Sequence, residues 1–255
     1  MNPAEDLFND ERRDKVLHLL PKLIKQTKIM AQQYDILVTN PPYMGSRNMN
    51  KELSAYLRKE YPDSKSDLFA AFMEIDHYMN EKSFYSVINQ HSWMFLSSFE
   101  KLRNKILKNK FIDSMLHLGP RTFEEIGGEV VQSTAFVLRN VNIESISGTY
   151  LRLTDFRTPD LKQKKSLEAI QNFDLPYHYS FDQKNFRNIP GSPIAYWISH
   201  SVIEIFKESP KMGDIIEAKQ GCATANNNKY LRYWYEVDLL EIGFDMKSRE
   251  MARKS

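Results

Sequence analysis

The sequence predicts an α/β layered domain built around a largely parallel sheet. Two observations carry that reading. Short apolar runs rich in β-branched and aromatic residues recur between Tyr34 and Leu153, and stretches with helical apolar spacing separate them. A third observation sets its extent: the alternation fades after Asn140, where polar residues and scattered prolines take over.

Taken in order, Glu11 to Gln33 carries Val16, Leu19, Leu20, Leu23 and Ile24 at helical spacing, and Pro21 inside it predicts a break or kink. Tyr34 to Thr39 is short, β-branched and closed by Asn40-Pro41-Pro42, as expected of a strand buried on both faces. Asp67 to Met79 reads as a helix with Ser66 as its N-cap. Ser83 to Asn89 reads as a strand, Phe99 to Lys108 as a helix, and Phe111 to Leu118 as the next strand. Ser133 to Leu138 follows soon after Gly127-Gly128 as another strand, and Ser147 to Leu153 closes the series. Thr158 to Pro193 shows no clear period, and Ile194 to Glu208 suits an amphipathic helix. These changes place a domain boundary between about Asn140 and Pro193.

Composition narrows the function classes. Of 255 residues, 42% are hydrophobic, 12% aromatic and 27% charged, as in a soluble globular protein. A net charge of +2 supplies no global basic field, so any nucleic-acid surface has to come from local clusters. The single cysteine, Cys222, excludes an internal disulfide framework and fits a reducing, cytoplasmic setting. The acidic, polar N-terminus lacks the features of a signal peptide, and no apolar run approaches the roughly 20 residues that span a bilayer.

The segment that carries chemistry is Asn40-Pro41-Pro42-Tyr43. An adenine-type amino group is a poor nucleophile because its lone pair is delocalised into the ring. Two hydrogen-bond acceptors can pull that nitrogen toward sp³ geometry, and an Asn carboxamide with the next backbone carbonyl supplies such a pair. Consecutive prolines fix φ at both positions and so aim the acceptors. The aromatic residue can stack on a base taken out of a duplex. Asn40 also falls at the carboxyl end of a strand, where open α/β sheets bind ligands. The bland alternative is a tight turn after a strand.

Tyr34 to Tyr43 resembles the catalytic motif of the γ-type, S-adenosylmethionine-dependent adenine-N6 DNA methyltransferases. Asp67-Leu68-Phe69-Ala70-Ala71-Phe72-Met73-Glu74 resembles that family's helix beside the cofactor, and Phe84 to Trp93 its following strand and loop. Phe123, ahead of Val131 to Leu138, matches the segment whose aromatic stacks on the flipped base opposite Tyr43. Asn40 to Ser46, Gln90 to Arg103 and Phe123 to Gly128 resemble more narrowly the adenine methyltransferases of BREX phage-exclusion systems.

This resemblance implies the C-terminal half of a Rossmann-like methyltransferase sheet and the start of a target-recognition domain. The segments expected are a helical lead-in at 1–33, a partial catalytic domain at 34–155, and a linker with the start of target recognition at 156–255. It implies Asn40, Pro41, Pro42 and Tyr43 as catalytic residues, Tyr43 and Phe123 around the target base, and Asn40 and Phe72 against S-adenosylmethionine. Double-stranded DNA is the implied partner, with a missing N-terminal half or other defence subunits beside it. The family holds its cofactor in a glycine-containing loop upstream of the motif, yet the 39 residues before Asn40 contain no glycine. The expectation is a truncated or split enzyme that binds the cofactor poorly alone, with an unpaired edge at Ile36 to Thr39.

Lys219 to Trp234 combines small residues, three Asn and a basic-aromatic cluster, and a similar stretch opens the recognition domain in BREX-type relatives. Asn226, Asn228, Lys229 and Arg232 are its candidate DNA contacts, against a surface loop as the plainer reading. The basic residues of Lys101 to Lys110, and Lys162 to Lys165, read as solvated faces. His77, His91 and His117 stand apart in sequence, so packing roles are expected and no metal site. The rival reading is a non-catalytic DNA-binding or assembly module with a vestigial motif; methylation of RNA or of protein glutamine is a further possibility.

Overall fold

The computed structural model describes residues 3–123, 131–143, 146–217, 226–238, 240 and 243. They fall into two compact units, one ending at Ser209 and one beginning at Pro210. No described helix is long and apolar enough to cross a membrane.

The first unit runs α1 (Pro3–Ala31), β1 (Tyr34–Thr39), α2 (Lys51–Glu60), α3 (Leu68–Ala71), β2 (Met79–Gln90), α4 (Glu100–Asn109), β3 (Phe111–Gly119) and β4 (Ser133–Arg139). It continues through β5 (Gly148–Arg152), α5 (Pro159–Gln171), β6 (His178–Phe181) and α6 (His200–Glu208). The strands form one sheet in the order β1-β2-β4-β3-β5-β6. Strands β1 and β2 are parallel, as are β3 and β5. Strand β4 runs antiparallel to both β2 and β3, and β6 antiparallel to β5. The sheet is therefore mixed rather than largely parallel. Strand β4 lies between β2 and β3 and runs against both, a direction that an apolar run does not itself specify.

Strand β1 forms the sheet edge, as the unpaired-edge expectation has it, but it is not buried on both faces. Ile36 and Val38 are 67% and 73% exposed, while Leu37 packs against the core from the other face. Helix α1 continues through Pro21 without interruption, and its apolar residues from Val16 to Ile24 are exposed.

The helix expected from Asp67 shortens to α3 followed by 3-10 turns at Phe72–Glu74 and Asp76–Tyr78. Its N-cap is Asp67, not Ser66, because the Asp67 carboxylate accepts the Phe69 N–H. Helix α2, capped by Asn50, gave no sequence signal strong enough to be anticipated, since only Leu57 on it is buried.

The stretch expected to lack period holds α5, capped by Thr158 with Pro159 in its first turn, and β6. Because β6 extends the same sheet, the first compact unit passes through the expected boundary at 140–193. Helix α6 begins only at His200; Ile194 and Tyr196 before it are buried core residues.

One sheet face buries Tyr85, Val87, Met115, Phe136 and Tyr150 against Phe69, Trp93, Leu102, Ile106, Tyr196 and Ile203. At about 1.5–3 kcal/mol per buried large side chain, this cluster dominates the hydrophobic stabilisation. A smaller cluster on the opposite face joins Leu151 and Leu153 to Ala169 of α5. Gly148 is required between β3 and β5, where a Cβ would collide with the Ile112 carbonyl oxygen.

The basic residues between β2 and β3 do not form a uniformly solvated face. Arg103 and Lys110 are buried, and Lys110 pairs with Asp76. Lys162 is buried as well.

Candidate active site

Strands β1, β2 and β3 point the same way, so their carboxyl ends share one edge of the sheet. The ladder Gln90↔Ser133↔Gly119 ties the ends of β2 and β3 together through β4. Asn40 leaves β1 at this edge and is exposed, Pro41 is buried, Pro42 is exposed and Tyr43 is half-buried. The Tyr43 hydroxyl donates to the Ile88 carbonyl of β2 at 3.4 Å, and its ring meets Phe69 edge-on with centroids 6.1 Å apart. Burial pushes this hydroxyl above the usual tyrosine range, partly offset by the Ser133 hydroxyl.

Asp67 latches the motif to α3. Its Oδ1 accepts the Met44 N–H at 2.9 Å and the Phe69 N–H at 3.3 Å. The Leu68 N–H donates to the Met44 carbonyl at 3.0 Å, completing the junction. One carboxylate thus caps a helix and fixes the residue after Tyr43. Burial raises its pKa, and the backbone donors from Met44, Phe69 and Leu68 act against that rise. Sequence reasoning placed Asp67 in the helix and missed this latch; an Asp directly ahead of an apolar run was the available signal.

Phe72 is half-buried at the end of α3, and its carbonyl accepts the Tyr85 hydroxyl at 2.7 Å, which fixes the backbone beneath its ring. Phe123 is half-buried on the loop after β3. That loop is shaped by Gly119 at φ 67° and Arg121 at φ 56°, and by the Thr122 hydroxyl donating to the Gly119 carbonyl at 3.0 Å. A side chain at Gly119 would be strained by φ and would crowd Thr154 at 3.0 Å. The buried Lys162 ammonium donates to the Leu118 and Pro120 carbonyls, so α5 holds the base of the same loop. The motif and the Phe123 loop therefore emerge from one sheet edge and are anchored separately. The remaining residues expected around Phe123, Glu124 to Gly128, lie outside the described residues.

His91 and His117 do not stand apart. His91, directly after β2, has Nδ1 2.8 Å from His117 Nε2, and His117 Nδ1 is 3.1 Å from the Tyr196 hydroxyl. Burial lowers the pKa of both rings; that of His117 falls to about 3, with His91, Arg152 and Lys162 adding to the effect. Phe95 and Trp197 border the pair, with Trp197 stacked on His117 at 6.1 Å and Arg152 over Trp197 at 5.0 Å. Period-two alternation from the buried Met115 puts His117 on the core face, the one sequence signal that it would be buried.

Arg103 holds the segment that carries His91. Its guanidinium donates to the carbonyls of Trp93 (2.9 Å) and Leu96 (2.6 Å) on one side. On the other it reaches Gly191 (2.6 and 3.1 Å) and Ser192 (3.2 Å).

In the second unit, Asn226, Asn228, Lys229 and Arg232 are all exposed. That unit holds two short helices, α7 (Met212–Ile215) and α8 (Asn227–Tyr230), and the Asn226 carboxamide oxygen caps α8 by accepting the Lys229 N–H. Arg232 bonds the Asn228 and Leu231 carbonyls at 2.8 Å each. Cys222 lies outside the described residues.

The family model of the Eco57I restriction-modification methylase matches residues 4–123. The chain is 46% identical over 247 residues to "Adenine-specific methyltransferase PglX" of Lacticaseibacillus casei, covering 95% of this chain and 20% of that protein. It is 40% identical over 231 residues to "Adenine-specific methyltransferase BrxX" of Escherichia coli, covering 90% of this chain and 18% of that protein. The chain thus spans about a fifth of the length of these curated relatives. Among solved structures, the methyltransferase subunit of a type I restriction-modification system from Streptococcus thermophilus aligns with TM-score 0.46 at 13% identity. That alignment covers 63% of this chain and 37% of the other.

Proposed function

From its homology to adenine-specific methyltransferases along nearly its whole length, we propose that the chain carries the catalytic segment of a DNA adenine-N6 methyltransferase. The observation that carries the proposal is the placement of Asn40-Pro41-Pro42-Tyr43 at the carboxyl edge of β1. There Asn40 is exposed while Pro41, Tyr43 and the Asp67 latch fix the loop beneath it. A loop so anchored offers acceptors without reorganisation, which is the requirement for holding a weakly nucleophilic amino group.

In this reading the Asn40 carboxamide oxygen and the Pro41 carbonyl accept the two N–H bonds of the target amino group. Tyr43 and Phe123 flank the base, which has left the duplex to reach the sheet edge. S-adenosylmethionine supplies an electrophilic methyl when bound. The described residues fit part of it: the half-buried Phe72, whose backbone is fixed by Tyr85, would flank its adenine, with Asn40 on the reacting side. Asn226, Asn228, Lys229 and Arg232 contribute contacts to double-stranded DNA, with Asn226 acting through the helix it caps. The likeness to PglX and BrxX supports a role in a BREX-type phage-exclusion system, alongside other subunits.

The test is methyl transfer from labelled S-adenosylmethionine to DNA by the full-length protein that contains this chain, with the product nucleoside identified by mass spectrometry. N6-methyladenine is expected. DNA retention without any methylated base would instead support the binding-module reading.

A further inference from the structure

Tyr196 is buried to 1% exposure, and among the described residues its hydroxyl has one hydrogen-bond partner, His117 Nδ1. A buried hydroxyl must place its proton on an acceptor or lose the full strength of that bond, so Tyr196 donates and His117 Nδ1 accepts. A neutral imidazole then carries its hydrogen on the other nitrogen. His117 Nε2–H therefore donates to His91 Nδ1, and His91 in turn must hold its hydrogen on Nε2. The polarity of the whole chain follows from one buried phenol.

The outer end of this chain is open. His91 Nε2 has no hydrogen-bond partner among the described residues and is not among the polar atoms sealed from solvent. His91 is the first residue beyond β2, and β2 is the parallel neighbour of the strand that delivers Asn40. Half-buried Phe95 meets the His91 ring edge-on with centroids 5.6 Å apart, and the Arg103 bonds to the Trp93 and Leu96 carbonyls fix the segment around it. A fixed N–H donor suits a ligand that presents a ring nitrogen lone pair. Adenine presents such lone pairs on both sides of its amino group, at N1 and N7; guanine carries a hydrogen at N1.

We propose that the Tyr196–His117–His91 chain presents His91 Nε2–H as a fixed donor to a ring nitrogen of the target adenine, making His91 a base-contacting residue of the site. This rests on the adenine-methyltransferase reading above. Asn40 and Pro41 accept from the amino group, whereas His91 donates to its ring, so the two sets read different atoms of one base.

Two measurements test it. The first is histidine ¹⁵N NMR on the chain near pH 7. Both His91 and His117 are expected as Nε2–H tautomers, and Tyr196→Phe is expected to release His117 into a mixture of both forms. A predominant Nδ1–H form at His91 would overturn the polarity. The second compares single-turnover methylation by the full-length protein on targets carrying adenine, 1-deazaadenine or 7-deazaadenine. One deaza substitution is expected to slow the wild type about tenfold, the ~1.4 kcal/mol of one hydrogen bond. The same substitution is expected to leave His91→Ala, already slowed about tenfold on adenine, unchanged. Equal deaza penalties in wild type and His91→Ala would remove the base contact, since a merely structural role predicts that result. A wild type that methylates no adenine fails the parent reading and the base contact together, while the NMR result still decides the polarity of the chain.

Discussion

Replacing Arg103 with Met removes the guanidinium but keeps most of the side-chain volume. Five N–H···O contacts disappear, and the carbonyls of Trp93, Leu96, Gly191 and Ser192 lose a donor inside the protein. Hydrogen bonds to a charged group contribute about 1.5–3 kcal/mol each, so a simple sum would exceed 7 kcal/mol. That sum overshoots, because the variant no longer buries a charge, and burial already weighs against the charged form here, with a smaller counter-effect from Glu100. Truncating one side of a buried ionic group costs about 3–5 kcal/mol overall, and that range is the expectation for Arg103→Met. Urea unfolding of the first compact unit, followed by tryptophan fluorescence, reads the loss directly because Trp93 sits at the bonded carbonyl. Arg103→Lys should recover little, since an ammonium cannot span both sides of the junction. A loss under 1 kcal/mol for Arg103→Met would refute the claim that this residue holds the His91 segment to the 191–192 turn.

Other predictions follow from the same contacts. Asp67→Ala should lower stability by about 2 kcal/mol through loss of a cap and a loop latch, whereas Asp67→Asn, which keeps an acceptor oxygen, should cost less than half as much; thermal unfolding of the two variants distinguishes these outcomes. His117 has a folded pKa of about 3 against an ordinary value of 6.5, so at pH between them the unfolded chain binds the extra proton and stability falls with falling pH. That loss amounts to about 2 kcal/mol between pH 7 and pH 5, and His117→Gln should remove it from the pH dependence of urea unfolding. Lys162→Met should loosen the Phe123 loop, seen as faster amide exchange at residues 119–122 while the β5–β6 ladder keeps its protection.

The strands were legible because their apolar runs are short and bounded, and β2, β3, β4 and β5 each fall where a run was read. Their directions were not legible, since a strand's polarity is set by how its connections run and by its partners, neither of which an apolar run records. Strand β1 shows the limit of composition. Tyr34 to Thr39 reads as buried on both faces, yet Ile36 and Val38 are exposed because their burial depends on neighbours that a run of six residues cannot specify. The placement of Asn40 to Tyr43 directly after β1 was legible because consecutive prolines end a strand locally. The latch, the histidine chain and the Arg103 junction were not, because each joins positions far apart in sequence: 44 to 67, 91 to 117 to 196, and 103 to 191. Charge was misleading at Arg103, Lys110 and Lys162, where a run of basic residues hides single members that turn inward to carbonyls or a carboxylate.

The central claim is that Asn40 holds the target amino group through a preset acceptor. The most direct measurement is single-turnover N6-methyladenine formation by the full-length protein carrying Asn40→Ala or Asn40→Asp, with DNA affinity measured alongside. The account predicts at least a hundredfold loss for Asn40→Ala, the order expected when one preorganised hydrogen-bonding group is removed. It predicts a smaller loss for Asn40→Asp, which retains an acceptor oxygen, and DNA affinity within about threefold for both. Wild-type methylation by Asn40→Ala would contradict it.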